Sequence, residues 1–337
     1  MNKPNLFVTQ PIEESALKRL QAEMNVTVHP DSSRSIIKQD LIKGLRKNDY
    51  LFCRLGDVVD AEAMDANPDL KLIVTMSAAA AQIDLAAATR RKIPVIARKT
   101  PKMDGATQDS VIEETADMAW VLLMSLARRV LEGDQLVRAG IFPGPQSMYL
   151  LGSQIHGKTL GIVGLGKIGR AVARRAKGFG MNILYHSRNQ YPEVESELCL
   201  IYKPLVELLQ ESDFVTLHPA YTPETHHLMG ESELALMKPS AFLINTSRGP
   251  VVDEDALIQA LRKKKIAGAA LDVFEGEPHP VLPQELTAMK NVVLTPHLGS
   301  AVAEKREIMA NSVVDNILAF LEGKIIGQFL NPEILEG

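Results

Sequence analysis

The chain has 337 residues, 46% of them hydrophobic and 23% charged, with a formal net charge of -4. That length exceeds one comfortable core and predicts two domains, and the composition is ordinary for a soluble globular protein. The mild acidity and the lack of a long basic run exclude a general attraction to nucleic acid or to an anionic membrane surface.

Along the chain, short β-branched runs alternate with helix-length amphipathic segments, the pattern of an α/β protein whose parallel sheets are covered by helices. Met1 to Asn5 lead into the first run without the apolar core of a signal peptide. Strands are predicted at Leu6–Thr9, Val26–His29, Tyr50–Cys53, Leu72–Thr75 and Val95–Ala97, with helices between them. Pro11 is placed where a first-turn proline is tolerated, before a helix over Glu13–Glu23. A long helix is expected from about Ser110 to Ala139, either as core or as core that also packs on a second subunit. Its most apolar stretch, Ala119 to Ala127, is only about half a membrane span. Six further strands follow at Thr159–Val163, Asn182–Tyr185, Phe214–Leu217, Ala241–Asn245, Gly268–Asp272 and Val292–Thr295, the number in a complete dinucleotide-binding sheet. Cys53 and Cys199 form no CxxC pair, which suits a reducing cytoplasm, and both read as ordinary core or surface residues.

Gly164-Leu165-Gly166-Lys167-Ile168-Gly169 directly follows one of these strands and opens a helix from Lys167 to Phe179. In that context the glycines read as a dinucleotide turn: Gly164 for the tight bend, Gly166 for close approach of a pyrophosphate, Gly169 for packing of helix on strand. The N–H groups of Lys167 and Ile168 would face phosphate oxygens at the positive end of the helix. After the next strand, an NAD site usually presents Asp or Glu to the ribose 2′-hydroxyl. Here Tyr185-His186-Ser187-Arg188-Asn189 has no carboxylate, and a hydroxyl beside a guanidinium suits a 2′-phosphate. NADP(H) is therefore the expected cofactor, with NAD(H) possible; Arg188 as an ordinary surface arginine is the rival reading.

Three charged residues stand in short loops after later strands: Arg248, Glu277 and His297. A cation, a carboxylate and an imidazole are the parts needed to hold a carboxylate substrate and to protonate its carbonyl. Each also has a plain structural reading, as a turn residue, a loop acid before proline, or a satisfied core histidine. His279 competes with His297 as the acid but lies between two prolines, and the adjacent His226 and His227 lack ligand spacing, so no metal site is expected.

Four motifs in order, Gly161 to Gly169, Asn245 to Asp253, Ala270 to Pro278 and Thr295 to Ala301, resemble the D-isomer-specific 2-hydroxyacid dehydrogenase family over nearly the whole chain. Within it the chain is most similar to the glyoxylate and hydroxypyruvate reductases that use NADPH, and more distantly to phosphite dehydrogenases. The resemblance implies two Rossmann-like doubly wound domains with the active site in the cleft between them, closing to exclude water. Residues 1–100 and 299–337 would form the substrate domain and 101–298 the dinucleotide domain. It further implies that Arg248 binds the substrate's carboxylate and carbonyl oxygen. His297 would be the general acid in reduction, and Glu277 would orient its ring. Asp272 would accept from the nicotinamide carboxamide, with a turn cap as its rival role. Thr246, His218, Pro219, Thr225 and Gly299 would flank the cofactor, Thr225 reading equally as a turn residue. A homodimer is implied as well.

The resemblance breaks at two places. The substrate loop reads Ser77-Ala78-Ala79-Ala80-Ala81-Gln82-Ile83-Asp84, with Ala79 in place of a glycine, so a positive φ there would be strained. Ala78 and Ala79 are still the expected substrate contacts, and the loss of the lysine that phosphite dehydrogenases carry at 78 weakens that alternative. About seven residues are added to the usual spacing around Lys102 to Asp109, either lining the site or forming a solvated bulge. The readings left standing are an NADPH-dependent reductase of small 2-keto acids, an NAD-linked dehydrogenase of a larger D-2-hydroxy acid or another oxidised anion such as phosphite, and a dinucleotide-sensing corepressor-like protein.

Overall fold

The computed structural model describes residues 3–77, 80, 82–98 and 111–335. It divides into two units, Met1–Ser110 with Val302–Gly337, and Val111–Ala301. In chain order the strands are β1 Asn5–Val8, β2 Asn25–Val28, β3 Tyr50–Cys53, β4 Leu72–Thr75, β5 Val95–Ala97, β6 Thr159–Val163, β7 Asn182–His186, β8 Leu200–Tyr202, β9 Phe214–Leu217, β10 Phe242–Asn245, β11 Gly268–Leu271, β12 Val292–Leu294 and β13 Gln328–Phe329. The fold is α/β with one parallel-sheet domain in each unit.

The first unit carries the order β13-β5-β4-β3-β1-β2, in which only β13 runs antiparallel, against β5. Its inner strands β3 and β4 are buried along their whole length, as expected of continuous apolar runs covered on both faces. The helix beside β2 spans Glu14–Glu23 with Glu13 as its cap, so Pro11 lies outside the first turn predicted for it.

The second unit carries β12-β11-β10-β9-β6-β7-β8. This is the doubly wound nucleotide-binding order with one strand added at the β12 edge, and it contains seven strands where six were predicted. The extra one is β8, a three-residue edge strand announced by Cys199 in the left-handed region, which ends the helix Pro192–Leu198. The winding reverses between β6 and β9, and ligands of such sheets bind outside the strands' carboxyl ends at that reversal.

The long helix predicted from Ser110 to Ala139 is instead two, Ile112–Ala127 and Val130–Arg138. Arg129 breaks it at φ 55°, with its guanidinium bound to both carboxylate oxygens of Glu132. The first helix buries eight side chains under the sheet, including Trp120, whose ring stacks on Phe179 at 4.5 Å; the second buries none. No helix among the described residues is long and apolar enough to cross a membrane.

Candidate active site

β6 delivers Gly164 to the point of reversal at φ +94°, where a Cβ would stand 2.7 Å from the carbonyl carbon of His218 and from Pro219 N. Only glycine lets the turn after β6 lie against the chain leaving β9. At Gly169 a Cβ would meet Gly164 O at 2.2 Å, so this residue sets how tightly the helix Lys167–Gly178 seats on its strand. Gly166, the helix cap, is the opposite case: a Cβ there would meet nothing within 4 Å. A close-packed turn with open space at a 12-residue helix's positive end fits a dinucleotide pyrophosphate. Two buried polar atoms without partners lie on the neighbouring strand ends, His218 Nδ1 and Thr246 Oγ1.

His218 holds Thr216 Oγ1 through Nε2 at 2.9 Å, and burial pulls its pKa from 6.5 down to about 3. Between those values the unfolded chain binds a proton that the folded chain does not. This contribution to stability is therefore whole above pH 6.5 and is lost as pH falls towards about 3. Denaturant titrations of the native chain and of His218→Gln should show a shallower acid-side slope in the variant; identical slopes would refute a neutral buried imidazole.

After β7, Ser187 donates to Asn189 O, and Arg188 is exposed with no ion pair among the described residues. No carboxylate stands in the segment from Ser187 to Gln190. Nearby, the Arg170 guanidinium lies 4.6 Å over the Tyr191 ring. In the turn after β9, Thr225 uses its hydroxyl locally, donating to Ala220 O at 2.8 Å and accepting from Thr222 N at 2.8 Å.

Arg248 follows β10 in a loop shaped by Asn245. That amide accepts from Ser247 N and Oγ and donates to Arg248 O, while Thr246 is 6% exposed. The guanidinium is exposed and donates from Nη1 to Ser247 O at 2.7 Å. At Gly249 a Cβ would fall 1.9 Å from Phe274 C and 2.5 Å from Glu275 N. The Arg248 loop therefore rests directly on the turn that carries Glu277.

In that turn Glu277 Oε1 accepts from Phe274 N at 2.8 Å, and Oε2 lies 2.6 Å from His297 Nδ1. With Nδ1 as donor, the other ring nitrogen, Nε2, has no protein partner among the described residues and is left for chemistry. His297 itself sits at φ 56° in a loop after β12. Asp272, 1% exposed at the end of β11, fixes that loop: Oδ1 accepts from Thr295 Oγ1 and Leu298 N, and Oδ2 from Gly299 N. Asp272 thus caps this turn, with Gly299 as one of the groups it holds. The sheet brings Glu277 and His297 into contact and seats Arg248's loop against the turn that carries Glu277. His279 is exposed, with no side-chain hydrogen bond or ion pair among the described residues. His226 and His227 stack at 4.0 Å, and no group of three His, Cys, Asp or Glu side chains placed to hold a metal ion occurs among the described residues.

Ala78, Ala79 and the added segment from Lys102 to Asp109 lie outside the described residues. A positive φ, 47°, falls on Ala80, whose N–H donates to Ser77 Oγ. The motif reading passes over Asn245 and over Asp253, which caps the helix Glu254–Arg262 through Ala256 N. An Asn two residues before Ser is an Asx-turn signal that could have found the first.

A doubly wound sheet with this glycine turn and a histidine–carboxylate pair beside a loop arginine defines a nucleotide-binding α/β oxidoreductase. Residues 120–299 match the family model "D-isomer specific 2-hydroxyacid dehydrogenase, NAD binding domain". The chain belongs to the D-isomer specific 2-hydroxyacid dehydrogenase family, and so is an oxidoreductase of CH–OH donors that uses a nicotinamide dinucleotide. A glyoxylate reductase of Thermococcus gammatolerans is 44% identical over 99% of this chain and 98% of its own length. Among solved structures, the TT0316 protein from Thermus thermophilus superposes with a TM-score of 0.79 at 40% identity, covering 97% of this chain and 99% of that one. A glyoxylate reductase from Paecilomyes thermophila does so with a TM-score of 0.69 at 31% identity, covering 97% and 98%.

Proposed function

We propose that the chain reduces glyoxylate and similarly small 2-keto acids such as hydroxypyruvate, using NADPH, and forms D-2-hydroxy acids where the product is chiral. The observation that carries this is the His297 Nδ1–Glu277 contact of 2.6 Å, which leaves Nε2 open, on a turn against which the Arg248 loop rests. The relatives named glyoxylate reductase support the choice of substrate.

The reduced nicotinamide, when bound, supplies the hydride. Gly164 to Gly169 would hold its pyrophosphate, with Ser187 and Arg188 at the ribose. Arg248 binds the substrate carboxylate and sets positive charge beside the carbonyl oxygen, where negative charge develops. His297 holds the proton on Nε2 that this oxygen takes up, and in the reverse direction removes it. Glu277 accepts from Nδ1–H and so orients the ring; the imidazolium then carries a second proton on Nε2, the nitrogen free to give it to the substrate oxygen. Asp272 holds the backbone on which that ring stands.

Initial rates with NADPH and NADH over a panel of keto acids test the assignment, and a clear NADH preference would overturn the cofactor choice. Ser187→Asp combined with Arg188→Ala should lower kcat/KM for NADPH by roughly 10- to 100-fold, since it removes a charge-assisted contact and adds a repulsive carboxylate. NADH should gain in relative preference. If both cofactors are unaffected, the 2′-phosphate is recognised elsewhere. The same reading includes a homodimer, supported by the apolar side chains exposed after the second of the two helices, among them Phe142 at 77% and Met148 at 79%. It also places the protein in the cytoplasm, where Cys53 and Cys199, both free, stay reduced.

A further inference from the structure

The second unit holds another histidine–carboxylate contact that the mechanism does not use. His227 Nε2 lies 2.8 Å from Glu275 Oε1, and its Nδ1 lies 3.8 Å from Asp253 Oδ2. The Glu275 N–H donates to Glu254 Oε1 at 2.7 Å. Glu254 and Gly249 meet one peptide, the Phe274–Glu275 link, and His227 holds the side chain of the same Glu275.

The placement matters because Glu277 takes its orientation from the same turn. Its Oε1 is held by the Phe274 N–H, in the peptide just before the Phe274–Glu275 link, so a shift of the backbone at Phe274 and Glu275 moves the carboxylate that faces His297. Within the turn Gly276 is at φ +76° with no atom nearer than 3.7 Å to a Cβ built there, so packing does little to restrain it. The restraint comes from outside, from Glu254 on the backbone and His227 on the side chain. Glu254 opens the helix Glu254–Arg262, whose capped terminus makes it a rigid base. Holding a carboxylate there is unfavourable: burial raises the Glu254 pKa, and Glu275, Asp255 and Glu277 add like charge. A crowded acid kept in place against repulsion is accounted for by the hydrogen bond it accepts from the Glu275 N–H.

We propose that Glu254 and His227 are positioning residues that clamp the turn from Phe274 to Glu277, and so hold Glu277 against His297 and register the Arg248 loop with both. The inference rests on the catalytic reading of His297 and Glu277. Loss of the clamp lets the carboxylate drift, and displacements near 1 Å in such sites lower rates by up to about 100-fold.

The test measures kcat, KM for NADPH and thermal unfolding of the full chain with Glu254→Ala, Glu254→Gln and His227→Ala, each also in a Glu277→Ala background. Glu254→Ala should lower kcat by about 10-fold with KM for NADPH unchanged. Glu254→Gln keeps a carbonyl oxygen for the Glu275 N–H and should return kcat to within about 2-fold. In the Glu277→Ala background neither Glu254→Ala nor His227→Ala should lower kcat by more than about 2-fold, because residues acting through one partner are not additive. Equal losses in both backgrounds, or a native kcat in Glu254→Ala, would overturn the inference. If Glu254→Ala fails to fold, half-exposed His227→Ala decides alone: about 3-fold lower kcat that vanishes in the Glu277→Ala background supports the clamp, and a background-independent effect or none refutes it. His297→Ala measured alongside separates the two levels, since native turnover there removes the catalytic reading itself and this inference with it.

Discussion

His297→Ala is expected to lower kcat for glyoxylate reduction by about 10²- to 10⁴-fold, the range that a positioned general acid contributes. At about 1.4 kcal/mol per tenfold, that is roughly 3–5 kcal/mol of transition-state stabilisation. The imidazole is anchored through Nδ1, and the three hydrogen bonds that Asp272 accepts fix the loop beneath it. Deleting the ring leaves that backbone scaffold in place, so the loss should appear in turnover and not in NADPH affinity. Fluorescence titration of NADPH beside steady-state rates separates the two. A variant with native kcat removes His297 from the proton transfer, and one that loses NADPH binding equally assigns it to the cofactor site.

Arg248→Ala is expected to lower kcat/KM for glyoxylate by about 10²- to 10³-fold, with both parameters affected, because its charge serves the bound carboxylate and the developing alkoxide alike. Arg248→Lys should recover only part of this, as an ammonium keeps the charge but not the planar pair of donors. The loop offers little compensation. Asn245 commits its whole amide to shaping it, and Gly249 leaves no room against Phe274 for another side chain to shift in. Near-native kcat/KM in Arg248→Ala would place carboxylate recognition elsewhere in the chain.

Much of the architecture is legible in the amino-acid sequence. β3, β4, β5, β6 and β9 match their predicted bounds because each is a compact apolar run set off by turn residues, and buried parallel strands carry that signature strongly. The glycine turn is equally plain, since its three glycines meet three different steric demands. What escapes prediction lacks local marks. β8 is three residues long at a sheet edge, and β13 has two residues defined only by pairing with β5. The helix break at Arg129 has neither proline nor glycine, so nothing in Ala127-Arg128-Arg129-Val130 signals it. Family resemblance puts Asp272 at the nicotinamide, with a cap as the rival role. Its three donors come from residues 23 to 27 positions downstream, a relation visible only once β11 and β12 lie side by side. The link between His227, Glu275 and Glu254 is hidden for the same reason.

The sheet order separates two tasks that the chain performs together. On the function proposed above, ribose recognition follows β7 and the acid–base pair follows β11 and β12, so four strand intervals lie between the two. At about 4.8 Å per interval that is roughly 19 Å, well beyond the range over which substitutions usually couple. A lineage could therefore exchange one coenzyme for the other by editing a handful of residues after β7, with the proton-handling apparatus untouched. Redox economy and substrate chemistry would then evolve as separate inheritances on one scaffold.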